Sequence, residues 1–271
     1  MKKIDLHIHT NISDGFLTPE EVVKIAKLNK CYKISITDHE IIKDYKNLSD
    51  KYKITIVPGI EFNTSVSNLH ILGYGIEKIE EMNNEMYNLR KYNELVSLEV
   101  IKKLENDNFD ISVDQIKEYM MSLNIDSKMM DKRKIVKYLI YKKYVNSVLD
   151  AYNSLIGKGA KYYVPNKKKT VEEIIELIRK YGGVSVLAHP NTLRLSNSNL
   201  IKQIKYLKSC GLNGIEIING KMINTNIYSS IAQSLNLLET VGSDFHDPKT
   251  DNIGIEVNEK VYSNVKKIWY N

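Results

Sequence analysis

Residues 3–39 read KIDLHIHTNISDGFLTPEEVVKIAKLNKCYKISITDH, and this stretch decides the architecture. Lys3–His9 and Lys33–Thr37 (KISIT) are short runs of strand character. Between them, Thr18-Pro19-Glu20-Glu21 marks a helix start. Thr18 is the N-cap, Pro19 takes the first helical position, and Glu21 closes a capping box. Val22, Val23, Ile25, Ala26 and Leu28 then supply an apolar helix face. Strand, helix and strand at this spacing form a βα repeat, which predicts a parallel sheet.

The repeat continues beyond this stretch. Ile54–Val57 and Leu69–Leu72 are further strand-like runs. From about residue 80 to 160 the pattern changes. Tyr92, Val96, Val100 and Leu104 recur every four positions, and a second helical stretch is expected from about Lys132 to Leu155. This block is rich in Lys, Asn and Tyr and holds no histidine. It reads as a helical insertion, residues 81–159, folded over the mouth of a domain built from residues 1–80 and 160–271. Afterwards a capping box at Thr170-Val171-Glu172-Glu173 opens a helix that ends at Gly182-Gly183. Strands follow at Val184–Ala188, Gly214–Ile218 and Glu239–Gly242, with helices through Leu200–Ser209 and around Ile227–Leu235. Seven strands, most followed by a helix, predict an α/β fold whose sheet is open or closed into a barrel.

Composition is that of a soluble globular chain: 271 residues, 42% hydrophobic and 27% charged. No run approaches the ~18 apolar residues of a membrane span, and the first residues lack the core of a signal peptide. A cytoplasmic protein with no membrane association is expected. Cys31 and Cys210 lack C-x-x-C spacing and read as buried free thiols. The net charge of +6 is spread as Lys over helical segments, with Arg only at positions 90, 133, 179 and 194. Solvated helix faces account for most of it, and charge alone does not establish nucleic-acid binding.

The chemistry lies in where the six histidines fall. His7 and His9 end the first strand, His39 the second and His189 the fifth, and His246 follows the seventh. Only His70 stands at the start of its strand. Asp14, Glu61 and Asp244 occupy the same segments. Parallel α/β folds build their sites at the C-terminal strand ends, so these residues converge. Taken singly, several have bland readings. Asp14 in Ser13-Asp14-Gly15 suits a turn, and His70 between Leu69 and Ile71 suits a core histidine. Asp5, His7 and His9 alternate onto one strand face, where two imbedded imidazoles need a partner such as a divalent metal. In Gly242-Ser243-Asp244-Phe245-His246, a glycine suited to a tight turn precedes an acid and an imidazole two apart. Jointly, every histidine would have to fall in these segments by accident. Nine nitrogen and oxygen donors with no thiolate suit Zn, Mn or Fe(II), and nine exceed what one ion can hold.

With those residues assembled, the sequence resembles a known family. DLHIHT with SDG, TDHE, PGIEF, LHILGYG, LAHP and GSDFH, in this order from Asp5 to His246, are similar to the polymerase-and-histidinol-phosphatase (PHP) family of metal-dependent phosphoesterases. The insertion, ending in Leu155-Ile156-Gly157-Lys158-Gly159 and Tyr163-Val164-Pro165, resembles the branch acting on nucleotides and 5′-phosphorylated RNA. The resemblance implies a distorted seven-stranded (β/α)7 TIM-like barrel and two or three divalent metals. By motif matching, His7, His9, Glu61 and Asp244 hold the first metal. Glu61 bridges to a second, shared with His70 and His189, and Asp14, His39 and His246 hold the third. Asp5 is left to orient a histidine from behind. Glu40 stands where the family usually has Asp, which affects a contact behind the ligands.

The implied reaction is hydrolysis of a phosphate ester by a hydroxide bridging two metals, with Glu61, Asp244 and His246 at the reacting centre. The substrate is expected to be a nucleotide 3′,5′-bisphosphate or a short 5′-phosphorylated RNA. Arg133, Lys158 and Arg194 are the candidates for holding its phosphates; for each, a plain surface cation is the competing reading. No obligate protein partner is evident. Three alternatives stay open: a histidinol-phosphate phosphatase, a metal-dependent amidohydrolase on a similar barrel, and a non-catalytic PHP module serving a partner. The long insertion argues against the first. The count of seven strands and the third-metal ligands argue against the second, and the complete ligand set argues against the last.

Overall fold

The capping box at Thr18 forms as expected: its side chain accepts from the Glu21 amide, and the Glu21 carboxylate accepts from the Thr18 amide. The helix it starts, α1 (Pro19–Leu28), buries Val22, Val23 and Ala26 against the strands on either side. These are β1 (Lys2–Ile8) and β2 (Cys31–Ile36), paired in parallel. The computed structural model describes residues 2–220 and 225–266. The chain divides into two units, one of residues 1–84 and 168–271, the other of residues 85–167.

The first unit is a barrel-like sheet. After β1, β2 and the short helix α2 (Lys46–Tyr52) come β3 (Thr55–Asn63), β4 (His70–Tyr74), β5 (Val184–Leu187), β6 (Gly214–Asn219), β7 (Leu238–Gly242) and β8 (Ile255–Val257). Their order is β7-β6-β5-β4-β3-β2-β1-β8. All seven expected strands are present, and a three-residue eighth adds to them. β4 runs antiparallel to both β3 and β5, and β8 antiparallel to β1. One edge of β1 is shared. Its first residues pair with β8, while its end receives the segment after β7 through Asp244 N–H to His7 C=O (2.9 Å) and His9 N–H to Phe245 C=O (2.9 Å). That junction closes the ring on the side where the histidines stand.

Ile4, Leu6 and Ile8 of β1, Ile60 and Phe62 of β3 and Ile71 of β4 are fully buried. β1 is buried on both faces yet alternates in polarity, because its second face carries Asp5 and His7, a polar series that His9 continues just past the strand end. Helix α7 (Val171–Lys180) begins at the second capping box, on Thr170, and ends before Gly182, whose φ of +81° only glycine adopts freely. Helices α8 (Asn197–Ser209), α9 (Thr225–Ser234) and α10 (Glu259–Lys266) complete this unit. Cys31 and Cys210 are both free thiols; Cys31 is buried, but Cys210 is only half-buried.

The second unit is helical. It begins within α3 (Ile79–Asn106) and holds α4 (Val113–Ser122) and α5 (Lys132–Tyr141). Its own core includes Val100, Leu104, Ile116, Met120, Ile135 and Leu139. Tyr92, expected on the buried stripe of α3, is 47% exposed. The single helix expected from Lys132 to Leu155 is broken. Helix α5 ends at Tyr141, Lys143 turns to φ +60°, and a one-turn helix α6 (Val148–Ala151) starts from a Ser147 cap before a π-turn over Tyr152–Ile156. Among the described residues, no helix is long and apolar enough to cross a membrane.

Candidate active site

The antiparallel course of β4 resolves the anomaly of His70. Its register sets His70 opposite Asn63, the last residue of β3. The start of an antiparallel strand thus lies at the same end of the sheet as the finish of its parallel neighbours. All nine expected ligands meet there.

Glu61, 1% exposed, sits at the middle. Its Oε1 is 3.0 Å from His70 Nδ1 and 3.0 Å from His189 Nε2. Its Oε2 is 3.1 Å from His9 Nε2, 3.4 Å from His7 Nε2 and 3.4 Å from His39 Nδ1. Asp244 Oδ1 lies 3.4 Å from His7 Nε2 and 3.5 Å from His9 Nε2. Asp14 stands among His9 Nδ1 (3.4 Å), His246 Nε2 (3.5 Å) and His39 Nε2 (3.6 Å). Among the described residues, four sets of ligand atoms are compact enough to hold an ion: His7 with Glu61 and His189; His7 with His9 and Asp244; His9 with His39 and Glu61; His9 with Asp14 and His246.

The electrostatics show what such a site demands. Burial disfavours charge on His7, but Glu216, Glu61 and Asp244 outweigh it and hold the imidazole well above its ordinary range. Burial opposes charge on His9 as well, yet bonds to Asp244 and Glu61 push it up to about 10. His189 is raised in the same way, mainly by Glu61. Glu61 is held well below the usual carboxylate range, against its burial, by His39, His7 and His70. The carboxylates therefore draw positive charge to the imidazoles. His7 Nε2 and His9 Nε2 are 3.2 Å apart, a spacing that two unshared lone pairs do not favour and that a common cation or proton relieves. Six imidazoles and three carboxylates so arranged fit divalent ions.

The outer nitrogens are held from behind. His7 Nδ1 meets Glu216 Oε1 at 3.2 Å, His189 Nδ1 meets Thr192 Oγ1 at 3.1 Å, and His246 Nδ1 meets the Asp244 carbonyl at 2.8 Å. Each leaves Nε2 facing inward. The backbone bends sharply to allow this. Glu40 (φ +53°), His189 (φ +24°) and Asp244 (φ +56°) adopt left-handed conformations just beyond strand ends. Each costs on the order of 1–3 kcal/mol and persists only where its surroundings hold it.

Several expectations need correction. Asp5 does not orient an imidazole: its carboxylate accepts the backbone N–H groups of His7 (3.3 Å), Ser243 (2.9 Å) and Gly254 (2.8 Å). It ties β1 to the segments after β7 and before β8, and burial raises it to about 6. Gly242 is not at a turn. It is the last residue of β7, with no positive φ, and its missing Cβ leaves room for His7. Glu40 accepts from the Asn63 amide side chain (2.6 Å), which also reaches His39 Nδ1 (3.2 Å), so the longer acid acts through Asn63.

Two carboxylates escaped the sequence reading. Asp38 accepts from Thr10 Oγ1 and Ser13 Oγ, both at 2.6 Å, and so anchors the loop that carries Asp14. Glu216, in the middle of β6, reaches His7. The only signal for either was an acid within or beside an apolar strand, where burying it needs strong partners. Of the phosphate-binding candidates, Arg194 is exposed beyond the 3₁₀ turn Pro190–Leu193, with φ +51°. Lys158, also exposed, and half-buried Arg133, 3.5 Å from Asp131, belong to the second unit.

His70 is not sealed in a core: its side chain is 23% exposed and touches Glu61. We expect His70→Asn to lower bound metal and turnover sharply while moving the melting temperature of the metal-free protein little. The reverse order in those two measurements would restore the packing role.

The model of the PHP domain matches residues 5–186. The chain is 24% identical to the 5′-3′ exoribonuclease Rnm of Escherichia coli over 278 residues, covering 98% of this chain and 92% of that one. It is 23% identical to a 3′,5′-nucleoside bisphosphate phosphatase of Chromobacterium violaceum over 256 residues, 92% of this chain and 88% of the relative. The fold matches the crystal structure of a putative metal-dependent phosphoesterase from Bifidobacterium adolescentis with a TM-score of 0.81 at 22% identity, covering 99% and 96% of the two chains. Taken with a barrel whose histidines and acids gather at one end, the match over most of the sequence establishes that this chain belongs to the PHP domain family.

Proposed function

We infer that this protein is a metal-dependent phosphoesterase, and we propose that it acts on nucleotide 3′,5′-bisphosphates or short 5′-phosphorylated RNA. The observation that carries the reading is Glu61. Its two oxygens face two sets of imidazoles, His70 and His189 on one side and His7, His9 and His39 on the other. A single buried carboxylate shared in that way suits a bridge between two ions. In this reading His7, His9, Glu61 and Asp244 hold one divalent ion, and Glu61, His70 and His189 a second. Asp14, His39 and His246 hold a third. Zn, Mn and Fe(II) all suit such donors. The named activities of the Escherichia coli and Chromobacterium violaceum relatives support the choice of substrate.

Bound divalent ions supply an acidified water and offset the charge that develops on the phosphoryl oxygens. The chain's residues do the rest. His7, His9 and Glu61 are sealed from solvent, whereas Asp244, His70 and His246 are 17%, 23% and 28% exposed, so the phosphate would approach over these three. Glu61, kept ionised by the surrounding imidazoles, holds negative charge at the centre. No side chain has to be phosphorylated.

The test is anaerobic purification with metal analysis, followed by phosphate release from a panel. The panel holds nucleotide 3′,5′-bisphosphates, 5′-phosphorylated RNA, histidinol phosphate and a dihydroorotate-like amide. We expect the nucleotides to lead. Amide hydrolysis without phosphate release would overturn the reaction class, and preference for histidinol phosphate would overturn the substrate.

We further propose that Arg133, with Lys158 and Arg194, holds the remote phosphate. Arg133→Ala should then raise KM for a nucleotide 3′,5′-bisphosphate. Loss of a charge-assisted contact of ~1.5–3 kcal/mol lowers kcat/KM roughly ten- to a hundredfold. Hydrolysis of p-nitrophenyl phosphate, which has no second phosphate, should stay nearly unchanged. Equal losses on both substrates would assign Arg133 to the reacting phosphate or to the fold.

A further inference from the structure

Glu216 is the third residue of β6, fully buried between Ile215 and Ile217. An acid in such a strand is costly unless its oxygens are taken up by donors. Here they are. Oε1 lies 3.2 Å from His7 Nδ1; Oε2 accepts the backbone N–H of His189 at 2.7 Å and the Asn219 side-chain amide at 3.2 Å. The pairing of β6 with β7 slips between Glu216 and Ile218, the kind of irregularity that re-aims a side chain beside a site. Glycine at 242 leaves the space: a Cβ there would stand 2.9 Å from Glu216 Oε1 and 2.2 Å from His7 Cβ.

Glu216 therefore grips two histidines from opposite sides of Glu61. His7 comes from β1 and sits among Glu61, His9 and Asp244. His189 follows β5 in a strained backbone turn and meets the other oxygen of Glu61. We propose that Glu216 is a positioning residue that sets His7 and His189 together, and so fixes the spacing of the two ion sites that share Glu61. It holds the ring of one and the backbone of the other, so both sites depend on one carboxylate that need not touch an ion. The inference rests on the metal assignment above and extends it to a tenth residue.

The two replacements at this position differ in a useful way. Glu216→Ala removes both grips. Glu216→Gln preserves volume and one acceptor, which can face His7 Nδ1–H, but its NH2 then meets the His189 N–H, donor against donor. The measurement is titration of Mn²⁺ alone into chelator-stripped full-length protein, with the melting temperature of the metal-free form taken in parallel. Removing a group that holds a metal-ligating histidine typically costs ten- to a hundredfold in affinity. We expect Glu216→Ala to weaken both tight Mn²⁺ equivalents by roughly that factor. Glu216→Gln should weaken one equivalent strongly and leave another near wild type. Co²⁺ absorption spectra should separate the two equivalents.

A purely structural Glu216 gives another pattern: lower melting temperatures, with Mn²⁺ affinities of the folded variants within twofold of wild type. That pattern overturns the proposal, as does equal weakening of both equivalents in Glu216→Gln. The phosphoesterase reading fails separately. Wild-type protein that binds Mn²⁺ tightly but releases no phosphate would sink that reading, while the comparison of Mn²⁺ affinities would still decide the role of Glu216.

Discussion

Glu61→Gln should lose more than one equivalent of bound metal and nearly all phosphate release, while its far-UV circular dichroism stays that of the wild type. The native carboxylate presents an acceptor to imidazoles on both sides, with five ring nitrogens within 3.4 Å of its two oxygens. A carboxamide keeps one acceptor and turns an NH2 toward the other set. It also removes the negative charge that burial alone would not have tolerated without those imidazoles. An ion held on the NH2 side would lose a ligand, and one held on the other would lose the shared charge. Loss of a preorganised electrostatic group of this kind costs on the order of a thousandfold in rate. The fold survives because Glu61 is flanked in β3 by Ile60 and Phe62, fully buried apolar residues that the substitution does not touch. Metal analysis, circular dichroism and phosphate release on one preparation decide the point. A variant with full metal content and normal turnover would remove the bridging role.

The sequence made the seven main strands legible because each is a short apolar run closed by a turn or a capped helix. Both capping boxes formed as written, at Thr18 and Thr170. The eighth strand carried no such signal: three residues, Ile255–Val257, are too few for alternation to register. Strand direction was also hidden. Apolar runs do not tell parallel from antiparallel, so His70 looked misplaced until β4 was seen to run the other way. In the second unit, periodicity ran across a break. Ser147 and Asp150 are the local sign of a new helix start, set within an apolar periodicity that runs on across the break.

The clustering of the candidate ligands was legible because imidazoles at strand ends are rare enough to be read jointly. The groups behind them were not. Glu216, Asp38 and Asn63 act on residues 24 or more positions away, and short motifs cannot encode such distances. Asp5 was the opposite case. Its place beside His7 and His9 suggested a partner for a ring, but a carboxylate on the buried face of β1 meets the backbone N–H groups of converging segments first.

Gly242→Ala is expected to injure both stability and chemistry, although it adds one methyl group to a residue that is not a ligand. Gly242 ends β7 where the barrel closes on β1. An added Cβ would stand 2.2 Å from His7 Cβ, 2.8 Å from His7 N and 2.9 Å from Glu216 Oε1. Two of those atoms are tied to the β1 backbone, which Asp244 N–H grips through the His7 carbonyl at 2.9 Å. Neither strand can yield without opening the junction. Overpacking of this kind costs ~1–3 kcal/mol and sometimes more, which for a domain of this size lowers the melting temperature by roughly 2–12 °C. The displaced group is His7, and misplacing a reacting constellation by about 1 Å costs on the order of a hundredfold in rate. Gly211→Ala is the control. It carries strain of its own from φ +104°, but a Cβ there meets only Ile175, at 3.4 Å, so melting should fall modestly while metal content and kcat hold. If Gly242→Ala behaved like Gly211→Ala in all three measurements, the close approach of β7 to His7 would not be what sets the histidine in place.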